Sequence, residues 1–158
     1  MSFHRGFAAA YFALLAAGIG ACNTEPDQGD PVDTELQCGD PGAPPTSCTL
    51  PLPVRASFQV QLVSTSCTAR NNKILVISPI QDELTDDACT ETTGKTWDFD
   101  GPFEAGSELN FRIESFEQPN PPRFLASGAY PEWTLTFEDG FDTDFNDIVL
   151  RVVATPVP

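Results

Sequence analysis

Polar and apolar residues alternate along most of this 158-residue chain after position 53, and this pattern restricts the fold more than any other feature. Successive side chains of a strand point to opposite faces, so a period of two predicts strands with one buried face. Segments with this pattern, or with a short aliphatic run, are 54–62, 73–78, 96–100, 108–113, 132–138 and 148–153, with a weaker one at 123–129. No segment has a clear helical period, although 80–89 is expected to be a short helix or an acidic loop. We predict an all-β domain at 54–158, an antiparallel, jelly-roll-like β-sandwich.

Residues 1–21 have the layout of an export signal. Arg5 precedes an uncharged run at 7–20. A helix of that length rises about 21 Å, whereas a membrane core of ~30 Å needs roughly 20 apolar residues. The run is too short to span comfortably, so a cleaved signal peptide is predicted.

The end of this signal, Ile19-Gly20-Ala21-Cys22, resembles the lipobox of bacterial lipoproteins. The resemblance implies cleavage before Cys22, whose sulfur would receive diacylglycerol and anchor the protein to a membrane. The alternative is an ordinary signal peptide that happens to precede a cysteine. Asn23 rather than Asp after the cysteine favours the outer membrane under the lipoprotein sorting rule. We therefore expect a lipid-anchored protein of the cell envelope, at the outer membrane or cell surface.

Residues 22–53 are predicted to form a Pro/Asp-rich tether. Positions 23–53 include seven prolines and six acidic residues, with no basic and no aromatic residue. Such a segment buries too little apolar surface to offset its ordering entropy. Pro-rich, charged linkers stay extended, so this one would hold the domain away from the membrane.

The charge of the chain excludes one class of partner. It has 8 basic and 23 acidic residues, a net charge of −15. Loss of Arg5 with the signal leaves 7 basic against 23 acidic residues, a net charge of −16. A chain of this sign repels phosphate backbones, so nucleic acid is not expected as a partner and a cation is.

The histidine content restricts the chemistry. The only histidine, His4, lies in the predicted signal. The mature chain therefore has no Ser-His-Asp triad, no Cys-His dyad and no histidine-ligated metal. A non-enzymatic protein is the favoured expectation.

The cysteines are consistent with export. Apart from Cys22, the chain has Cys38, Cys48, Cys67 and Cys89. An even number in an oxidising compartment predicts two disulfides. Three pairings are open, and we favour Cys38–Cys48 with Cys67–Cys89 because each joins neighbours in the sequence. Free buried thiols are the alternative.

An acidic segment at 137–147 separates the last two predicted strands. It holds five carboxylates and one carboxamide in eleven residues. Crowded like charges destabilise a fold unless something compensates them, and a hard dication with six to eight oxygen ligands would do so. The alternative is a solvated acidic turn whose side chains bind backbone amides. Alternating Asp142, Asp144 and Asn146 could turn their oxygens toward one point, so calcium is the predicted ion.

An EF-hand does not account for this segment. That loop needs glycine at its sixth position and glutamate at its twelfth. Counted from Asp142, those positions are Asp147 and Val153, and a strand rather than a helix is predicted to follow. A calcium ion here would bind in a loop between strands.

The phrase Phe137-Glu138-Asp139, followed by D-x-D-F-N-D at 142–147 and a hydrophobic strand, resembles the C-terminal signature of an uncharacterised bacterial surface-domain family. The resemblance extends over roughly residues 95–154. Members occur at the ends of exported proteins and look like calcium-binding β-sandwiches. The resemblance implies that calcium is bound by Asp139, Asp142, Asp144, Asn146 and Asp147, with Glu138 as a further candidate.

These features predict a lipid-anchored, calcium-binding module for surface attachment or recognition, with a surface glycan or protein as its ligand. One alternative is a calcium-dependent hydrolase that acts on glycans through paired carboxylates such as Glu104 and Glu108. Another is a purely structural envelope lipoprotein.

Overall fold

The computed structural model of the protein describes residues 47–115, 122–140, 142 and 144–158. Within these ranges the chain forms nine strands and one short 3-10 helix, η1, at Ala88–Thr90. The strands are β1 (Ser47–Pro51), β2 (Ala56–Thr65), β3 (Lys73–Ser78), β4 (Asp82–Thr85), β5 (Thr96–Phe103), β6 (Glu108–Glu114), β7 (Arg123–Ala129), β8 (Glu132–Glu138) and β9 (Ile148–Pro156). Among these same residues, no helix is long and apolar enough to cross a membrane.

The strands form two antiparallel sheets around one hydrophobic core. One sheet has the order β1-β6-β3-β4 and the other the order β5-β2-β9-β8-β7. Trp133 and Phe137 of the larger sheet and Phe111 of the smaller one are fully buried in the core between them. The predicted all-β sandwich is therefore confirmed.

The apolar side chains lie on the buried face that the alternation in the sequence predicted. In β2 the residues Ala56, Phe58, Val60 and Leu62 are buried, and the polar residues between them are half-buried or exposed. Phe58 stacks on Phe99 of β5 with ring centroids 4.4 Å apart. Burial of each such side chain contributes about 1.5–3 kcal/mol, so this face fixes the register of the strand.

The first strand, β1, lies inside the range predicted as a tether. β1 pairs with β6 from Ser47 opposite Arg112 to Pro51 opposite Glu108. Its Leu50 is completely buried. The predicted boundary at residue 54 is therefore wrong. Proline is tolerated at the end of an edge strand, so the prolines of this segment did not exclude a strand here. The remainder of the tether and the signal peptide lie outside the described residues.

The segment 80–89 is neither the helix nor the loop that its sequence predicted. Asp82–Thr85 forms β4, an edge strand that pairs with β3, and η1 follows it. Leu84 points into the core while Asp82 and Glu83 remain exposed. A strand of four residues is too short to show a clear period, and tertiary pairing decides it.

Gly128, near the β7–β8 turn, has a φ of +93°. A Cβ there would lie 2.5 Å from the carbonyl oxygen of Glu132. We expect Gly128→Ala to lower the free energy of unfolding by about 1–3 kcal/mol, as strained backbone positions do. Urea denaturation measures this change. Gly94 is the matched control because it has a similar φ of +91° but nothing within 4 Å. Gly94→Ala should cost less, and equal losses would contradict the role of the close contact.

Candidate metal site

The acidic residues surround the connection between β8 and β9. These strands pair up to Phe137 opposite Ile148, so the two ends of the connection are held side by side. Glu138 is the last residue of β8, Asp139 follows it, and Asp147 immediately precedes β9. Their relative exposures are 0%, 0% and 2%, which is unusual for carboxylates. The predicted ligands therefore include a buried group at the base of the connection.

Two sets of carboxylates come together at this base. Oxygens of Glu138, Asp139 and Asp147 lie within 4.8 Å of one another, and so do oxygens of Glu138, Asp142 and Asp144. We call the first set the inner triad and the second the outer triad. Glu138 belongs to both, although the sequence placed it only as a further candidate. The four predicted aspartates are thus brought together around a glutamate.

The Glu138 carboxylate organises the connection by accepting backbone hydrogen bonds. Its Oε1 accepts from the amides of Gly140 at 3.1 Å and Asp142 at 3.2 Å. Its Oε2 accepts from the amide of Phe145 at 3.3 Å. The connection consequently folds over Glu138, which the strand alternation alone would have placed on a solvent-facing position.

Only one of the two carboxylate oxygens of Asp139 accepts hydrogen bonds from the described residues. Its Oδ2 accepts from the amides of Thr68 at 3.1 Å and Ala69 at 2.7 Å. Its Oδ1 is buried and has no hydrogen-bond partner among the described residues. A buried, unpaired carboxylate oxygen is costly, because nothing replaces the water it lost.

Asp147 completes the inner triad. Its Oδ2 accepts from the Asp139 amide at 2.6 Å, so the two acids are tied through the backbone. Burial, reinforced by the nearby carboxylates of Asp139, Glu138 and Asp142, raises the pKa of Asp147 to about 7, against the lowering effect of that hydrogen bond. None of the ion pairs among the described residues involves a member of the inner triad.

The outer residues are exposed and bonded to one another. Asp142 Oδ1 accepts from the Asp144 amide at 3.3 Å, and Asp144 Oδ1 accepts from the Asn146 amide at 3.2 Å. The side-chain nitrogen of Asn146 donates to Asp144 Oδ2 at 2.5 Å. Asn146 therefore supports the carboxylate of Asp144 in this arrangement.

One basic residue lies beside the connection. The Arg123 guanidinium is 5.2 Å from the centre of the Phe145 ring and donates to the carbonyl oxygen of Asp142 at 3.4 Å. Phe145 has a φ of +55°, a left-handed conformation that non-glycine residues seldom adopt. The local backbone is thus held in a specific, unfavourable shape by its neighbours.

The geometry fits a hard cation. Calcium binds oxygen at about 2.3–2.6 Å, so ligands on opposite sides of the ion are up to about 5 Å apart. Both triads meet this condition with separations within 4.8 Å. The donor atoms are oxygens only, and a cation near Asp139 Oδ1 would bind the lone pairs of an oxygen that accepts no hydrogen bond. The residues present therefore fit calcium.

The raised pKa of Asp147 sets a pH dependence for the metal-free protein. Its carboxyl keeps a proton up to pH about 7 when folded and loses it near pH 3.8 when unfolded. The proton that the folded state retains therefore stabilises the fold. This contribution is complete below the unfolded pKa and is lost as the pH rises through the folded pKa. In chelator, we therefore expect the free energy of unfolding to decrease as the pH rises from about 4 to about 7. Urea denaturation across that range checks the slope, which should diminish in Asp147→Asn.

The described cysteines support the predicted pairing. Cys67 and Cys89 form a disulfide, which confirms that prediction. Cys48 is also disulfide-bonded. Its predicted partner Cys38 lies outside the described residues, as does Cys22, so the Cys38–Cys48 bridge and lipidation stay predictions.

The residues that sequence reasoning missed are Ser66, Thr68 and Ala69. Their backbone amides donate to the carboxylate of Asp139, 70 and 71 positions away, and to the backbone carbonyl of Asp147, which is also distant in the sequence. Backbone donors leave no residue-type signal in a sequence. The carboxylate Glu104, considered for hydrolysis, is exposed and lies 3.8 Å from Arg55.

No protein-family model matches the chain, and no curated protein matches it in sequence. Among solved structures it is similar to a Chromobacterium violaceum lectin in complex with alpha-methyl-fucoside, with a TM-score of 0.44 and 17% identity. The C-terminal domain of a Burkholderia cenocepacia lectin gives 0.42 and 17%, and a mannose-binding lectin of Ralstonia solanacearum gives 0.37 and 18%. Each match covers 70% of this chain and 96% of the other.

Proposed function

We propose that this protein is a lipid-anchored, extracytoplasmic β-sandwich that binds one calcium ion at the β8–β9 connection and serves in surface attachment or recognition. The inner triad carries the proposal, because three buried carboxylates lie within 4.8 Å of one another. Asp139 Oδ1 has no partner among the described residues, which favours a bound cation over a solvated acidic turn.

The role of the ion is structural in this proposal. Glu138, Asp139 and Asp147 each hold backbone amides of the connection or of the neighbouring segment. An ion shared by these carboxylates would cancel their repulsion and hold the connection in one conformation. The ordered connection would then present a fixed surface to a glycan or protein.

Thermal melts in chelator and in excess calcium test the binding step. Extracellular calcium modules have Kd values of about 10⁻⁴–10⁻³ M. At ~1 mM free calcium, linkage then contributes roughly 0.4–1.4 kcal/mol. For a domain of ~100 residues this corresponds to an increase in Tm of about 2–11 °C. Magnesium should substitute poorly, because it requires a smaller octahedral site. Coincident melts would refute the proposal.

The recognition step needs a separate experiment. The protein, in calcium and in chelator, should be screened against glycans, including fucosides and mannosides, and against surface proteins. Calcium-dependent binding of one class would support recognition and name the ligand. Binding of none, together with a clear calcium-dependent melt, would instead favour a purely structural envelope protein.

A further inference from the structure

The segment Ser66 to Ala69 connects the Cys67–Cys89 disulfide directly to the inner triad. The Ser66 amide donates to the carbonyl oxygen of Asp147 at 2.9 Å. Two positions further, the amides of Thr68 and Ala69 donate to Asp139 Oδ2. The disulfide sulfur of Cys67 lies 3.1 Å from the carbonyl oxygen of Asp147. Residues on both sides of Cys67 thus contact two of the three inner-triad residues, through the backbone carbonyl of Asp147 and the carboxylate of Asp139.

The other end of the disulfide is held by a different part of the fold. Cys89 lies in η1, where its amide donates to Asp87 Oδ1 at 3.2 Å. The Ala88 amide donates to the carbonyl oxygen of Asn72 at 2.9 Å. Asn72 is completely buried, and its side-chain nitrogen lies 3.0 Å from the sulfur of Cys89. Cys89 is therefore a fixed anchor.

The disulfide joins the two sheets beside the triad. Cys67 follows β2 of the five-stranded sheet, and Cys89 follows β4 of the four-stranded sheet. Thr68 and Ala69 lie in the connection between β2 and β3. Their amides keep Asp139 Oδ2 occupied, and this fixes the direction of the unpaired Oδ1.

We infer that the Cys67–Cys89 disulfide is a positioning element of the metal site, so that calcium affinity depends on the oxidation state of this pair. The inference rests on the proposed calcium binding and adds its regulation. A dithiol reductant converts the disulfide to two thiols and is itself oxidised to a disulfide. The segment 66–69 then loses its covalent anchor, and Asp139 loses the fixed donors that orient it. Coupling between sites is reciprocal, so bound calcium should also protect the disulfide from reduction.

Calcium titration by calorimetry tests the first half. The oxidised wild type is compared with the Cys67→Ser/Cys89→Ser double variant. We expect Kd to rise about tenfold in the double variant, within the usual range of coupling. Val76→Ala is the matched control, because Val76 is buried in β3 of the smaller sheet and its truncation lowers stability without touching the site. It should leave Kd unchanged.

Reduction of the wild type tests the second half and does not need the variant to fold. The protein is treated with dithiothreitol in calcium or in chelator, and alkylated thiols are located by peptide mapping. Cys67 and Cys89 should become accessible more slowly in calcium. Cys48, which is disulfide-bonded in the smaller sheet, is the internal comparison and should show a much smaller difference.

The outcomes separate the two proposals. If the oxidised wild type binds no calcium, the proposed function fails and this inference fails with it. If the wild type binds calcium but the double variant keeps the same Kd, or reduction is equally fast in calcium and chelator, only the inference is overturned. A higher Kd in Val76→Ala equal to that of the double variant would also overturn it, because loss of stability would then explain both.

Discussion

Asp147→Asn is expected to abolish the response to calcium and to raise the stability of the metal-free protein. Asp147 is 2% exposed, and its carboxyl has a pKa of about 7 beside the carboxylates of Asp139 and Glu138. Removal of one charged ligand should weaken calcium binding by about 100-fold or more. The calcium-dependent rise in Tm of about 2–11 °C should then disappear at ~1 mM calcium.

The stability change in chelator has the opposite sign for a physical reason. Above pH about 7 the wild-type carboxylate is charged, buried and close to two other acids. The asparagine amide has nearly the same shape and no charge, and its Oδ1 can still accept from the Asp139 amide. Tm in chelator should therefore rise. In this proposal the wild-type carboxylate destabilises the metal-free fold but is required for binding of the ion.

Asp100→Asn is the matched control for this experiment. Asp100 is an exposed aspartate of β5, so the change in net charge is the same and the triads remain intact. It should keep the calcium-dependent shift in Tm. A calcium response that survives in Asp147→Asn, or a response lost equally in Asp100→Asn, would contradict a site at the inner triad.

Cys22→Ser is expected to move nearly all of the protein from the membrane fraction to the soluble fraction. Each buried CH₂ of a lipid chain contributes about 0.8 kcal/mol, and two chains are needed for stable anchoring. Without the Cys22 sulfur no diacylglycerol can be attached, so the effect should be close to complete. Fractionation followed by intact-mass measurement of the mature protein provides the test.

Cys38→Ser controls for the loss of a cysteine as such. It should leave the protein in the membrane fraction with a lipid-modified Cys22 at its N-terminus. An unmodified N-terminus in the wild type, or membrane attachment of Cys22→Ser equal to that of the wild type, would overturn the anchoring prediction. The calcium site and its predictions would be unaffected.

The sequence by itself determined the features that depend on local pattern. Strands β2, β6, β8 and β9 alternate over enough residues to show one buried face, so their period predicts them. The acidic loop is recognisable because its carboxylates are crowded within one short stretch, and crowding is local too. The pairing of Cys67 with Cys89 was favoured by their separation of 22 residues.

Only the tertiary structure decided which carboxylates are buried and what holds them. By alternation, Glu138 occupies an outward position of β8. It is nevertheless buried, because the amides of Gly140, Asp142 and Phe145 donate to its carboxylate. Asp139 is oriented by backbone donors 70 and 71 positions away. The short strands β1 and β4 exist because they pair at sheet edges. Such contacts join residues far apart in the chain through backbone groups that every residue carries, so no residue type or period could have marked them.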